Sequence, residues 1–236
     1  MSEYIQYLAE LIPEKDSLKL VKNEAEKFYK THSLDECFRM GHELYKSDNF
    51  QIQEVGVFLF GYAAHENADA LSFLKNTVSQ NDSWIVQEIL AMAFDNHCKI
   101  IRYETALPIF HEWLDSDCAN VRRAVSEGLR VWTSRPYFKD NPQAAMELLA
   151  AHKSDESAYV RKSIGNAIWD ISKKYSKLVS AELSTWDCGT GRLERRHFVC
   201  EYPAQTVSEI IASQWKTALK RTDTAFGGDD STAYKT

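Results

Sequence analysis

Residues 159–179, "YVRKSIGNAIWDISKKYSKLV", have the periodicity of a long amphipathic helix with one side chain out of place. At about 100° per residue, Val160, Ile164, Ala167, Ile168, Ile171, Tyr175 and Leu178 gather on one apolar face. Trp169 projects roughly opposite that face, among Lys162, Asn166, Asp170 and Lys173. An indole set among lysines and beside a carboxylate has no packing purpose in an isolated helix, so the context of the segment matters.

Three other segments share its pattern. "IQEVGVFLFGY" begins at Ile52, "VQEILAMAFDN" at Val86, "VRRAVSEGLRV" at Val121 and "VRKSIGNAIWD" at Val160, with spacings of 34, 35 and 39 residues. Each opens with an aliphatic residue and two polar ones, then continues with helical periodicity. The polar turns "KSDNF", "SQNDS", "DSDCAN" and "HKSDES" precede them and supply helix N-caps. Between them lie further helical stretches, "ADALSFLKNTV", "YETALPIFHEWL" and "NPQAAMELLAAH". A helix, a turn and a second helix repeated at this period predicts an all-α, HEAT-like solenoid. In that fold neighbouring pairs bury each other's apolar stripes, and the second helices line a concave, basic-rimmed face. The expected organisation is a single solenoid domain over residues 1–221, with 1–50 as a helical cap of about three helices and 222–236 as a frayed tail. Within it, "WDCGTGRLERRHFVC" reads as a loop and a weak basic helix, and "VSEIIASQWKTALKR" as the last helix.

Composition narrows the class. The 236 residues are 44% hydrophobic and 26% charged, which suits a globular chain with a substantial core. No apolar run approaches the roughly 18 residues of a membrane span, and the N-terminus lacks the pattern of a signal peptide. Five scattered cysteines without a CxxC favour free thiols in a reducing, cytoplasmic setting over disulfides or a zinc site. His97, His111 and His197 have no metal-ligand spacing and read as surface or loop residues. The net charge is −6, unevenly distributed: residues 1–120 carry 10 Lys and Arg against 20 Asp and Glu, whereas 121–236 carry 18 against 14. A local basic surface is what a phosphate backbone requires, since the field at the contact outweighs the overall charge.

Aligned by their opening aliphatics, the repeats expose a common non-core face. It holds Trp84, Glu88, Met92 and Asp95 in the second repeat and Arg123, Glu127, Arg130 and Ser134 in the third. In the fourth it holds Lys162, Asn166, Trp169, Asp170 and Lys173, while Trp132 falls on the core side. Carboxylates and aromatics at the centre suit a cationic ligand, and cations around them suit a polyanion. The plainer reading of each acid is an ion pair. Glu88 and Glu127 have Arg122, Arg123 or Arg161 available across repeats, and Asp170 has Lys173 or Lys174 along its own helix.

The stretches "SDCANVRRAVSEGLRVW" and "SDESAYVRKSIGNAIWDISKKYSKLV" resemble the HEAT-like DNA alkylation repair family, which includes the AlkC- and AlkD-type alkylpurine DNA glycosylases. The resemblance is strongest over 115–186. It implies active-site roles for Asp170 and for Glu127 of the "SEG" motif, with an earlier inner-face acid at Glu88. Trp84 and Glu88 are similar in spacing to a tryptophan and catalytic acid of the AlkD branch. The implied reaction is hydrolysis of the N-glycosidic bond of cationic N3- or N7-alkylpurines, with no metal or organic cofactor. Asp170 or Glu88 would activate water and stabilise the sugar cation, with Glu127 as a second acid. Trp84, Trp169 and Asn166 would contact the substrate. Arg123, Arg130, Lys162, Lys173 and Arg192 would hold phosphates. The expected partner is double-stranded DNA, including its alkylated form, bound by a monomer without membrane or metal. The alternatives are a non-catalytic DNA-binding solenoid and a protein-interaction scaffold that uses the acidic N-terminal half.

Overall fold

A computed structural model describes residues 3–13 and 17–186. Among these the chain is all-α, with no strand, and is built of HEAT-like helix pairs. The helices are α1 (Glu3–Leu11), α2 (Leu18–Thr31), α3 (Leu34–Tyr45), α4 (Phe50–Ala63), α5 (Ala68–Asn76) and α6 (Trp84–Ile101). They continue as α7 (Leu107–Leu114), α8 (Ala119–Gly128), α9 (Pro136–Asp140), α10 (Pro142–Ala151) and α11 (Ala158–Ser184). The chain divides into two compact units between Leu129 and Arg130. The segments expected to form a basic loop, a last helix and a tail after Trp186 lie outside the described residues.

In the first unit the second helices stack in series, α4 on α6 and α6 on α8. α3 pairs with α4, and α7 with α8. The opening aliphatics of the repeats are the pegs of this packing: Ile52 is 2% exposed, and Val86 and Val121 are fully buried, as Val160 is within the second unit. Two glycines let the backbones approach α6 from either side. A methyl at Gly61 would lie 2.8 Å from Ala93 atoms, and one at Gly128 would collide with the Ala91 carbonyl oxygen. α4 is apolar almost all round and correspondingly buried, as expected of a helix with neighbours on several sides. Asn49 caps it by accepting from the N–H groups of Gln51 and Ile52.

The residue after each opening aliphatic performs one task in all four repeats. Gln53 Nε2 donates to the Ser47 carbonyl at 2.7 Å, and Gln87 Nε2 to the Asn81 carbonyl at 2.8 Å. Arg122 donates to the Ser116 carbonyl at 2.8 Å and Arg161 to the Asp155 carbonyl at 2.6 Å. Each side chain therefore folds back to a carbonyl six residues earlier and ties the helix to its preceding turn. A partly buried turn cannot leave such carbonyls unpaired without cost, which explains a polar residue beside each peg.

In the second unit α10 packs along α11, whose N-cap Ser157 accepts from the Val160 N–H. Residues 159–179 do not form one uninterrupted helix: Tyr175 has φ −122° and ψ 50°, so α11 consists of two helical stretches joined at a kink. The Tyr175 hydroxyl donates to the Lys139 carbonyl at 2.9 Å, an anchor that regular helix geometry did not anticipate. The third repeat also departs from expectation. Its helix stops at Gly128, and a 3-10 turn spans Trp132–Ser134. Arg130 and Ser134 thus lie beyond the helix whose face they were expected to share. Glycine is a poor helix former, and Trp132, fully buried with its ring 4.8 Å from that of Phe138, draws the chain out of the helical path. Val131 accommodates this reversal in the left-handed region, at φ 57°. His97 also differs from the sequence reading: it sits in α6 at 3% exposure, not on the surface or in a loop.

Candidate functional site

The sequence-selected residues fall into two groups, one in each unit. In the first unit, Glu88 of α6 and Glu127 of α8 meet at Arg123. The guanidinium donates to the Glu88 carboxylate across the helix–helix contact and lies 3.8 Å from Glu127 Oε2, one turn along its own helix. The Arg123 side chain is only 7% exposed, against 29% for Glu88 and 12% for Glu127. A buried cation between two carboxylates offsets their mutual repulsion and fixes both in place. Arg123, expected at a phosphate, is thus committed to two acids of its own unit. Among the arginines open to Glu88 and Glu127, Arg122 and Arg161 hold the turn carbonyls described above.

Trp84 is the first residue of α6, one turn before Glu88, and is 56% exposed. Asp95, placed on the same face, accepts from the Tyr103 hydroxyl at 3.0 Å.

In the second unit, Asp170 is 8% exposed on α11. One carboxylate oxygen is ion-paired with Lys173, and the other lies 3.4 Å from Arg130 Nε. Both cations remain largely exposed, with side chains 58% and 52% accessible for Lys173 and Arg130. The Lys173 ammonium also stands 5.6 Å from the centroid of the Trp169 ring. Trp169 and Asn166 are half-buried and Lys162 is exposed. The odd tryptophan is therefore neither core nor bare surface: its ring carries a lysine. Arg192 lies outside the described residues.

Two chemically active groups escaped the sequence reading. Glu54, 2% exposed in α4, occupies the repeat position held by Glu88 in the next repeat, and burial pushes its carboxyl up to about 7. The repeat alignment carried that signal. Cys118 stands at the N-cap of α8, where its sulfur accepts from Gln80 Nε2 at 3.3 Å. No comparable pattern in the sequence marks it. Among the described residues no group of three or more His, Cys, Asp or Glu side chains is placed to hold a metal ion.

Comparison with known proteins agrees with this architecture. The solved structure of smu.31 from Streptococcus mutans UA159 is 45% identical with a TM-score of 0.74, covering 82% of this chain and 95% of that one. The structure of AlkD2 from Streptococcus mutans is 43% identical with a TM-score of 0.74, covering 81% and 94%. The uncharacterized protein YhaZ of Bacillus subtilis (strain 168) is 37% identical over 78 residues, which make up 31% of this chain and 22% of that protein. The profile of the family described as DNA alkylation repair enzyme matches residues 17–196. With most of its length inside that match, the chain belongs to the AlkC/AlkD-type DNA alkylation repair family.

Proposed function

We propose that the chain binds duplex DNA and hydrolyses the bond between deoxyribose and a purine alkylated at N3 or N7. The observation that carries this reading is Asp170, a nearly buried carboxylate held by two largely exposed cations, one of which also stands over the Trp169 ring. An alkylated purine is already cationic, so it leaves without a general acid. As the C1′–N bond breaks, its electron pair neutralises the purine and positive charge moves to the sugar. Water adds its oxygen to C1′ and passes a proton to a carboxylate. Asp170 serves that step, or Glu88 does, with Glu127 as the second acid. Trp84, Trp169 and Asn166 contact the sugar or base. Arg130, Lys162, Lys173 and Arg192 hold phosphates. Arg123 acts through the acids it positions.

The test is release of N7-methylguanine and N3-methyladenine from methylated duplex DNA. Asp170→Asn is expected to slow excision at least about a hundredfold. Excision that survives both Asp170→Asn and Glu127→Gln unchanged would remove these residues from the chemistry.

A specific observation favours a second reading, DNA binding without excision. Arg123 occupies both Glu88 and Glu127, which leaves neither acid unpaired for a water. That reading predicts no base release, together with affinity for unmodified duplex that weakens steeply between 50 and 200 mM salt.

A further inference from the structure

Lys173 is the unusual member of the Asp170 group. Its ammonium is held between a carboxylate and the face of an indole, the two elements with which proteins bind organic cations. Both come from α11 itself, Trp169 one turn before Lys173 and Asp170 three residues before it. The lysine is largely exposed, so an external anion can reach its ammonium while the Asp170 carboxylate stays nearly buried. A planar cation would cover more of the indole than an ammonium on a flexible stem does. Arg130, the other partner of Asp170, is similarly exposed. Both long cations can follow an external phosphate without disturbing the helix.

We propose that Trp169 and Asp170 form a site for a planar organic cation, that Lys173 occupies it as a built-in stand-in, and that a polyanion releases it. Phosphates draw Lys173 and Arg130 away from the carboxylate and leave the indole and Asp170 open to the ligand. Exposure of the damage-reading pair is then coupled to contact with the backbone, which limits unproductive capture of free cations. The choice of a cationic purine as ligand rests on the proposed function; the occupancy by Lys173 rests on geometry alone.

The probe is 7-methylguanosine, with uncharged guanosine as control, titrated into the full chain while the Trp169 indole N–H resonance is followed. Trp169→Phe assigns that signal. Lys173→Met is expected to bind 7-methylguanosine at least about fivefold more tightly than wild type, with no gain for guanosine. Asp170→Asn in the Lys173→Met background should abolish the gain. Tripolyphosphate added to wild type should bring its affinity toward that of Lys173→Met. Equal affinity of wild type and Lys173→Met, or an equal gain for guanosine, overturns the stand-in. A gain in Lys173→Met that tripolyphosphate fails to reproduce in wild type overturns the release step. Thermal unfolding of each variant confirms that the fold is intact. The nucleoside assay and the excision assay read different events, so a positive first and negative second would retain the cation site and discard the reaction.

Discussion

The guanidinium of Arg123 crosses from α8 to the Glu88 carboxylate on α6 while remaining beside Glu127 on its own helix. One nearly buried cation therefore answers for two acids from successive repeats. Removing it takes a shared cation from two acids, of which Glu127 is only 12% exposed. Arg123→Met is expected to cost about 3 kcal/mol of stability, read by urea unfolding. Glu88→Gln should cost less, about 1 kcal/mol, because Arg123 retains Glu127. Similar losses for both variants would show that the guanidinium is not shared.

The sequence displayed the helix-pair repeat because the pegs Ile52, Val86, Val121 and Val160 recur and their polar neighbours alternate at helical spacing. All four are buried as that pattern requires. It could not show what the polar neighbours do, since Gln53, Gln87, Arg122 and Arg161 act on carbonyls whose positions depend on the turns. The end of α8 at Gly128 was hidden for a related reason. Nothing local in "SEGLRVW" says that burying Trp132 outweighs continuing the helix. The acids of the candidate site were legible as types and repeat positions, but their partners were not. Arg123 reads as a surface cation until α6 and α8 are packed, when it becomes a buried tie.

His97 and Glu54 should give the first unit opposite pH dependences. Burial, and secondarily His65, hold the His97 imidazole down at about 4, against 6.5 in the unfolded chain. Neither ring nitrogen has a hydrogen-bond partner among the described residues. Between those values the unfolded chain takes up a proton that the fold refuses, so stability falls as pH falls from 6.5 to about 4. The loss is about 3 kcal/mol when complete. Glu54 works the other way. Its carboxyl is raised by burial from 4.5 to about 7, so its contribution is full below 4.5 and is lost as pH rises through 7. Unfolding free energies of His97→Leu and Glu54→Gln, measured from pH 4 to 8, should each differ from wild type by an amount that slopes within the stated window. A constant difference across that range for either variant would contradict the assignment for that residue.

Cys118 is expected to be the reactive thiol among the described cysteines. Burial opposes its ionisation, but the Val121 N–H, the Ser79 hydroxyl, the Asn120 N–H and the Gln80 amide together bring it below the usual thiol range. Burial pushes Cys37 up to about 11 and Cys98 well above the ordinary value. Limiting iodoacetamide at pH 7.5 should label Cys118 at least about tenfold faster than either of them in the folded protein. Peptide mass spectrometry distinguishes the sites, and Gln80→Leu should narrow the gap. Comparable labelling of Cys37 would mean that access, not ionisation, governs the rate.

Val131 stores strain at the point where the chain leaves α8. A β-branched residue at φ 57° and ψ 49° crowds its Cβ against the following carbonyl, at a cost of about 1–2 kcal/mol. Its side chain is 45% exposed, so little packing offsets that cost. What holds the conformation is the residue that follows: Trp132 is fully buried and its turn must close in place. Asparagine tolerates the left-handed region, and Val131→Asn is therefore expected to raise stability by about 1 kcal/mol in urea unfolding. Val131→Gly removes the same clash but frees the unfolded chain, so its gain should be smaller. If the strain also sets the direction of the adjoining Arg130, glycine should loosen the Arg130 contact with Asp170 more than asparagine does. Hydrogen exchange at residues 130–134 reads that difference. Destabilisation by both substitutions would show that the valine side chain makes a contact worth more than the strain it carries.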